Sequence, residues 1–463
     1  MVKVYLRGHD NYYGIADILR LFGGNIREER ENGYVSCDLG FDLEIISEIL
    51  PDGTTAAYKK GGTPVPCDLP AIPANRSVKR DLYILLSKIT NMRYPWGCLT
   101  GIRPTLVAGE DNDPGLMSAK YLVRKDKAEL ALETAMTEGR ILGKRGEETL
   151  NIYIGVPFCP SRCEYCSFIS NDAVKHMKLL EPYAASVIEE IRTVAPRIKR
   201  RVASLYIGGG TPTVFSEELF GRFIGSVTEL LPVDSETEFT VEAGRADTIT
   251  QVKLDLMRKA GATRICINPQ TMNSGTLARL HRNHTAEDTV RAYEQAVGAG
   301  FESINMDLIA GLKYESDEDF INSINTVISL KPSDITIHTL YKKRRAEMTR
   351  ETVLSRDRGD TDKAVGEGYT LLYQNGYHPY YMYRQKDTGH GLENTGFTKG
   401  DGCYYNVAMM SDKRDVLSFG AGGMSKRIFD GGRLEICSCI KDVTGYITSV
   451  SEMAEKKIGF FEL

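Results

Sequence analysis

No run of apolar residues in this chain approaches the length needed to cross a bilayer, and the stretch from Met1 to Arg7 lacks the apolar core of a signal peptide. A cytoplasmic protein without a membrane span is therefore expected. Charge of one sign is also missing: the net charge is −4 and the pI about 6.1, which offers no basic face for phosphate and no reason to expect a nucleic-acid partner. The short basic runs Lys199 to Arg201 and Lys342 to Arg345 read as solvated surface. Histidine is scarce, and His9, His176, His338, His378 and His390 fall at no ligand spacing. Tryptophan occurs once, at Trp96. Ten cysteines in a cytosolic chain of this size do not make a disulfide framework, because that compartment keeps thiols reduced; metal ligation is the better use.

What is present is ordinary globular material, 42% hydrophobic and 26% charged, long enough at 463 residues for two or three domains. The first part alternates as a strand over Val2 to Leu6, then follows helical spacing through Ile15, Leu19 and Phe22 until Gly23 and Gly24 stop it. Extended segments follow near Tyr34 to Leu39 and Thr54 to Tyr58, with helices over Ser77 to Ile89 and Ala119 to Leu142. This reads as an α+β domain over residues 1–147. Between its helices, Pro95 to Pro104 sets turn residues around Trp96, which suggests a docking loop, with packing as the plainer role.

From residue 151 strands and helices alternate. Strands are expected at Asn151 to Val156, Ala203 to Gly208, Glu238 to Ala243, Arg264 to Asn268, Ser303 to Ile309 and Asp334 to Thr339, with helices such as Val252 to Ala260 and Thr285 to Val297 between them. Six such units make an α/β partial (βα)6 barrel over 148–345, whose chemistry should sit at the carboxyl ends of the strands. A mixed region over 346–463, with a helix near Lys363 to Asn375 and a strand into Phe419, is expected to cover the substrate.

Cys159, Cys163 and Cys166 lie on one loop after the first of these strands. Thiolates at this spacing can ligate three irons of a [4Fe–4S] cubane and leave the fourth open for S-adenosylmethionine (SAM). A zinc site or unligated thiols are the alternatives, and zinc normally shows a second CxxC pair or a nearby His, which is missing here. Tyr165 lies where a cofactor base could pack or where a core ring would do as well. The second strand ends in Gly208 to Thr213, whose glycines let backbone approach a ligand. The third ends at Glu242, the fourth near Gln270, and the fifth contains Asp307. Carboxylates in apolar strands need donors, and Arg282, in Leu280 to His284, is a candidate partner for them.

The cysteine loop with Pro157-Phe158, the GGGTPT turn, Val241 to Ala243, Asn268 to Gln270, Arg282 with His284, and Asn305 to Gly311 together resemble the oxygen-independent coproporphyrinogen III oxidases (coproporphyrinogen dehydrogenases) of the radical SAM superfamily. Trp96 to Thr105, Tyr383 to Lys386 and Glu393-Asn394 are similar to a branch with an extra N-terminal domain. The resemblance implies that Cys159, Cys163 and Cys166 bind the cluster and that Tyr153, Gly209, Glu242 and Met424 contact its SAM. The positions implied for a second SAM are Tyr165, Gly210, Thr211, Gln270, Arg282, Asp307 and Tyr341. It also implies a tetrapyrrole substrate, two of whose propionates become vinyl groups to give protoporphyrinogen IX, and a one-electron reductant such as flavodoxin or ferredoxin. Arg344, Arg345, Arg384 and Lys386 are candidate propionate partners. A haem-transferring branch of the same family and a radical SAM enzyme that modifies haem are the competing readings. The former usually has Asp-Phe after the last cysteine, where this chain has Ser167-Phe168.

Overall fold

The computed structural model describes residues 1–23, 25–166, 170–340, 358–384 and 391–463. Tyr341, Arg344, Arg345 and Lys386, expected at the substrate or cofactor, and Ser167 and Phe168 lie outside the described residues. The chain forms two compact units, residues 1–136 with 382–393, and residues 137–381 with 394–463. Among the described residues no helix is long and apolar enough to cross a membrane.

In the first unit, β1 (Val2–Arg7), β2 (Ile26–Glu29), β3 (Tyr34–Cys37), β4 (Leu43–Ile49) and β5 (Thr55–Lys59) form a sheet in the order β2-β3-β1-β4-β5. Val2 and Val4 alternate inward from β1, as a half-buried strand requires. The helix Tyr12–Phe22 starts where the Asn11 side chain accepts from Gly14 N and stops at Gly23, whose φ is +104°. The long helix expected over 119–142 is two helices, Pro114–Tyr121 and Lys125–Gly143. Leu122 breaks it by turning left-handed at φ +59°. The Trp96-Gly97 turn is pressed into this break: Cys98 N donates to Tyr121 O at 2.9 Å, and a Cβ on Gly97 would stand 2.2 Å from the same oxygen. Only glycine fits there. Trp96 is fully buried and donates from Nε1 to Glu393 Oε2 at 2.6 Å, while Lys127 pairs with Glu393 Oε1 at 2.6 Å. Packing, not docking, is thus the work of the ring. Arg384 lies over it, 5.3 Å from the centroid, and donates to Leu99 O and Gly391 O, so the propionate role expected of it is replaced by one inside this unit.

The second unit is built on an open sheet of eleven strands. Its centre is six parallel strands in sequence order: β6 (Leu150–Val156), β9 (Val202–Gly209), β10 (Glu238–Glu242), β11 (Arg264–Cys266), β12 (Ser303–Ala310) and β13 (Asp334–Thr339). The short pair β7 (Phe158–Cys159) and β8 (Asn171–Asp172) stands apart from them. Beyond β13 lie β15 (Asn394–Thr398) and β14 (His378–Tyr383), and beyond β6 lie β16 (Asp415–Phe419), β17 (Met424–Ile428) and β18 (Leu434–Ser438). Among the described residues the sheet does not close, as expected of a partial barrel. One strand face is apolar, with Ile152, Leu205, Val241, Ile265, Leu308 and Ile337 buried. Its other face carries polar residues at many positions, several of which hydrogen-bond to one another. Ser204 Oγ donates to Asn151 Oδ1 at 2.6 Å, and Arg264 donates to Ser303 Oγ and Asp334 Oδ2, each at 2.7 Å. Above them Tyr206 stacks on Tyr405 with centroids 4.4 Å apart, and Tyr153 lies 6.0 Å from Tyr405.

A buried ion pair joins the end of the chain to this sheet. Lys457, in the helix Val450–Phe461, meets Glu190, in the helix Met177–Val194; both are almost wholly inaccessible. Glu190 also accepts from Tyr446 OH at 2.5 Å and from Gly420 N at 3.1 Å. Tyr183 OH accepts from Ala421 N at 2.9 Å, so two buried side chains hold the turn between β16 and β17.

Candidate active site

The cysteine loop leaves β6 through Pro157 and is held to the neighbouring turn by backbone. Gly210 N donates to Val156 O and Thr211 N to Phe158 O, at 2.9 and 2.7 Å. A Cβ on Gly210 would meet Phe158 O at 2.5 Å, so the glycine is a condition of this approach. Cys163 is buried, and Cys159 and Cys166 are half-buried. Each thiol must lose its proton to bind iron, and burial pushes that of Cys159 up to about 11. Donors stand beside two of the sulfurs. Thr211 Oγ1 donates to Cys159 Sγ at 3.5 Å, Arg245 Nη1 to Cys163 Sγ at 3.7 Å, and Arg282 Nη1 to the same sulfur at 3.8 Å. Two buried guanidinium groups on one sulfur suit a thiolate ligand. Among the described residues no group of three His, Cys, Asp or Glu side chains is disposed around a single metal ion.

Tyr153, Gly209 and Glu242 come together beside the loop. Glu242 accepts from Tyr206 OH at 2.5 Å and from Gly209 N at 3.0 Å, and a Cβ on Gly209 would approach Tyr153 OH to 3.1 Å. Burial raises the Glu242 carboxyl to about 6 despite these two donors. In the folded chain it therefore holds its proton more tightly than in the unfolded one. That contribution to stability is full below pH 4.5 and is lost as pH rises through 6, a change of about 2 kcal/mol. In metal-free protein, the stability difference between wild type and Glu242→Gln should fall by that amount between pH 4.5 and 7; a difference independent of pH refutes the assignment.

Among the described residues Arg282 pairs with no carboxylate, contrary to expectation. It donates to Tyr165 OH at 3.0 Å, Gly244 O at 3.0 Å and Asn268 O at 2.6 Å, and so fastens the cysteine loop to the ends of β10 and β11. The Tyr165 ring packs on Leu280, Ile309, Leu312 and Leu340. Gln270 takes φ +70° and exchanges backbone bonds with Asp307 O and Ile309 N. Asp307 meets an amide and an imidazole: Asn305 Nδ2 donates to it at 2.7 Å, and His338 Nε2 is 3.5 Å away. Met424 stands apart, largely exposed at the head of β17 and separated from β6 by β16. The turn before it is close, since a Cβ on Gly155 would lie 3.5 Å from Ala421 O.

Residues that sequence reasoning passed over complete the site. Arg245 and Asp247 follow Glu242 closely, and a strand-end Arg beside an Asp was a usable signal. Tyr206 lies two residues before Gly208, hence on the same strand face. Tyr405 and His338 gave none, because their neighbours come from distant parts of the chain.

A family model described as the radical SAM superfamily matches residues 153–327. The oxygen-independent coproporphyrinogen-III oxidase-like protein HemZ of Bacillus subtilis is 32% identical over 91% of this chain and 88% of its own. The heme chaperone HemW of Escherichia coli is 29% identical over 62% of this chain and 72% of its own. Among solved structures, coproporphyrinogen III oxidase (HemN) from Escherichia coli, a radical SAM enzyme, superposes with a TM-score of 0.54 at 20% identity, covering 69% of this chain and 73% of that one.

Proposed function

Because the chain belongs to the radical SAM superfamily, and within it to the oxygen-independent coproporphyrinogen-III oxidase-like family, we propose that it converts two propionates of coproporphyrinogen III to vinyl groups, giving protoporphyrinogen IX. The likeness to the coproporphyrinogen oxidase-like relative over nearly the whole chain, N-terminal unit included, carries this reading. When bound, a [4Fe–4S] cluster and SAM supply a 5′-deoxyadenosyl radical that can take a hydrogen atom from unactivated carbon. For each propionate the products are then a vinyl group, CO2 and one electron, which a one-electron acceptor takes.

The chain's own work is placement. Cys159, Cys163 and Cys166 hold the iron. Glu242, fixed by Tyr206 and Gly209, presents a carboxylate to hydroxyl or ammonium donors of SAM, with Tyr153 beside it and Met424 at the neighbouring turn. Tyr165, Gly210, Thr211, Gln270, Arg282 and Asp307 line the position of a second SAM or of the substrate. The apolar set around Tyr165 excludes water from the strand ends, and orientation there supplies much of the rate. Flavodoxin or ferredoxin is the proposed source of the reducing electron.

The test is anaerobic: reconstituted protein, SAM, a one-electron reductant and coproporphyrinogen III should give CO2, 5′-deoxyadenosine and a divinyl product. Stoichiometric haem uptake without decarboxylation would instead favour a carrier, the activity in the name of the chaperone relative.

A further inference from the structure

The side chains behind Cys163 form a charge arrangement that iron ligation alone does not need. Arg245 and Arg282 are 3% and 6% exposed, and both reach Cys163 Sγ. Their environments differ. Among the described residues Arg282 donates to the Cys163 sulfur, the Tyr165 hydroxyl and the carbonyls of Gly244 and Asn268, and its Nε is buried without a partner, so its charge faces the sulfur with no carboxylate paired to it. Arg245 is balanced. It pairs with Asp247 through Nε at 3.2 Å and Nη2 at 3.5 Å, and donates to Ser161 O and Ser161 Oγ at 3.3 and 2.9 Å. Asp247 in turn meets His284 Nδ1 at 3.3 Å.

We propose that Arg245 and Asp247, beside the fixed charge of Arg282, set the reduction potential of the cluster through Cys163. Reduction adds one negative charge to the cluster, and buried charge close to a ligating sulfur acts on that step with little screening. Arg245 stabilises the reduced form, whereas Asp247 opposes it. The present ratio of the two fixes an intermediate potential, and removing either must move it in opposite directions. Neither residue is among those proposed to touch SAM or substrate, so both are positioning residues in the electrostatic sense. The inference rests on the reading that Cys163 holds an iron, which iron analysis of the wild type tests separately.

The experiment measures the midpoint potential of the reconstituted full chain at fixed pH, without SAM or substrate, by following the reduced cluster's EPR signal. Arg245→Gln should make reduction at least tenfold less favourable, about 59 mV lower for a one-electron couple. Asp247→Asn should shift the potential upward by a similar amount, and Arg245→Lys, which keeps the charge but not the fork, should stay near the wild type. A simple brace for the loop would not give opposite signs. An unchanged potential in Asp247→Asn with full iron content overturns the proposal. So does loss of the cluster in both Arg245→Lys and Asp247→Asn, because the two residues would then only hold the loop. If the wild type itself binds no iron, the reading of the cysteine site fails instead.

Discussion

Cys163→Ala should reduce 5′-deoxyadenosine formation to the level seen without protein. Of the three cysteines this is the most deeply placed, and its sulfur is the one both Arg245 and Arg282 reach. Its removal leaves two protein sulfurs for a cluster that needs three, and it takes the sulfur away from the buried Arg282 guanidinium, which, unlike Arg245 with Asp247, has no carboxylate partner among the described residues, a further cost to the loop. Iron and sulfide content per chain should fall together with SAM cleavage, while the unfolding transition of metal-free protein persists. Cleavage retained by this variant would show that another ligand set holds the iron.

The second large effect is on stability. Lys457→Met should cost about 3–5 kcal/mol, because among the described residues it leaves the buried Glu190 carboxylate with Tyr446 OH and Gly420 N alone as partners. Removing the whole pair in Glu190→Met with Lys457→Met should recover most of that loss, since two apolar side chains owe no desolvation. Denaturant unfolding of the metal-free single and double variants measures both numbers. A single-variant loss under about 1 kcal/mol would mean that water reaches the pair. Because Glu190 also anchors Gly420, a protein that tolerates the double change should still bind SAM more weakly than wild type.

The six parallel strands and their order were legible because each sets apolar residues at alternate positions between turn residues, with a helix of regular period before the next. β4 escaped notice for the opposite reason: Ile45, Ile46 and Ser47 are buried in succession, so no alternation marks it. The helix break at Leu122 was hidden too, since its cause is the approach of Gly97 from outside the local sequence. At the site, motifs located the cysteines, the glycine turn and Glu242. They did not say what those groups touch. Arg282 was expected on a carboxylate and lies on a sulfur, a hydroxyl and two carbonyls, a choice made by chain segments that meet only when the sheet forms.

The first unit takes its last piece from residues 382–393, and one of those, Glu393, is the counter-ion of Lys127 and the acceptor of the Trp96 indole. During synthesis the amino-terminal segment must therefore emerge long before it can be finished. Until the ribosome has passed Glu393, Lys127 has no anion to accompany it into the interior, so the early segment should remain a substrate for chaperones and proteases while the barrel strands are still being made.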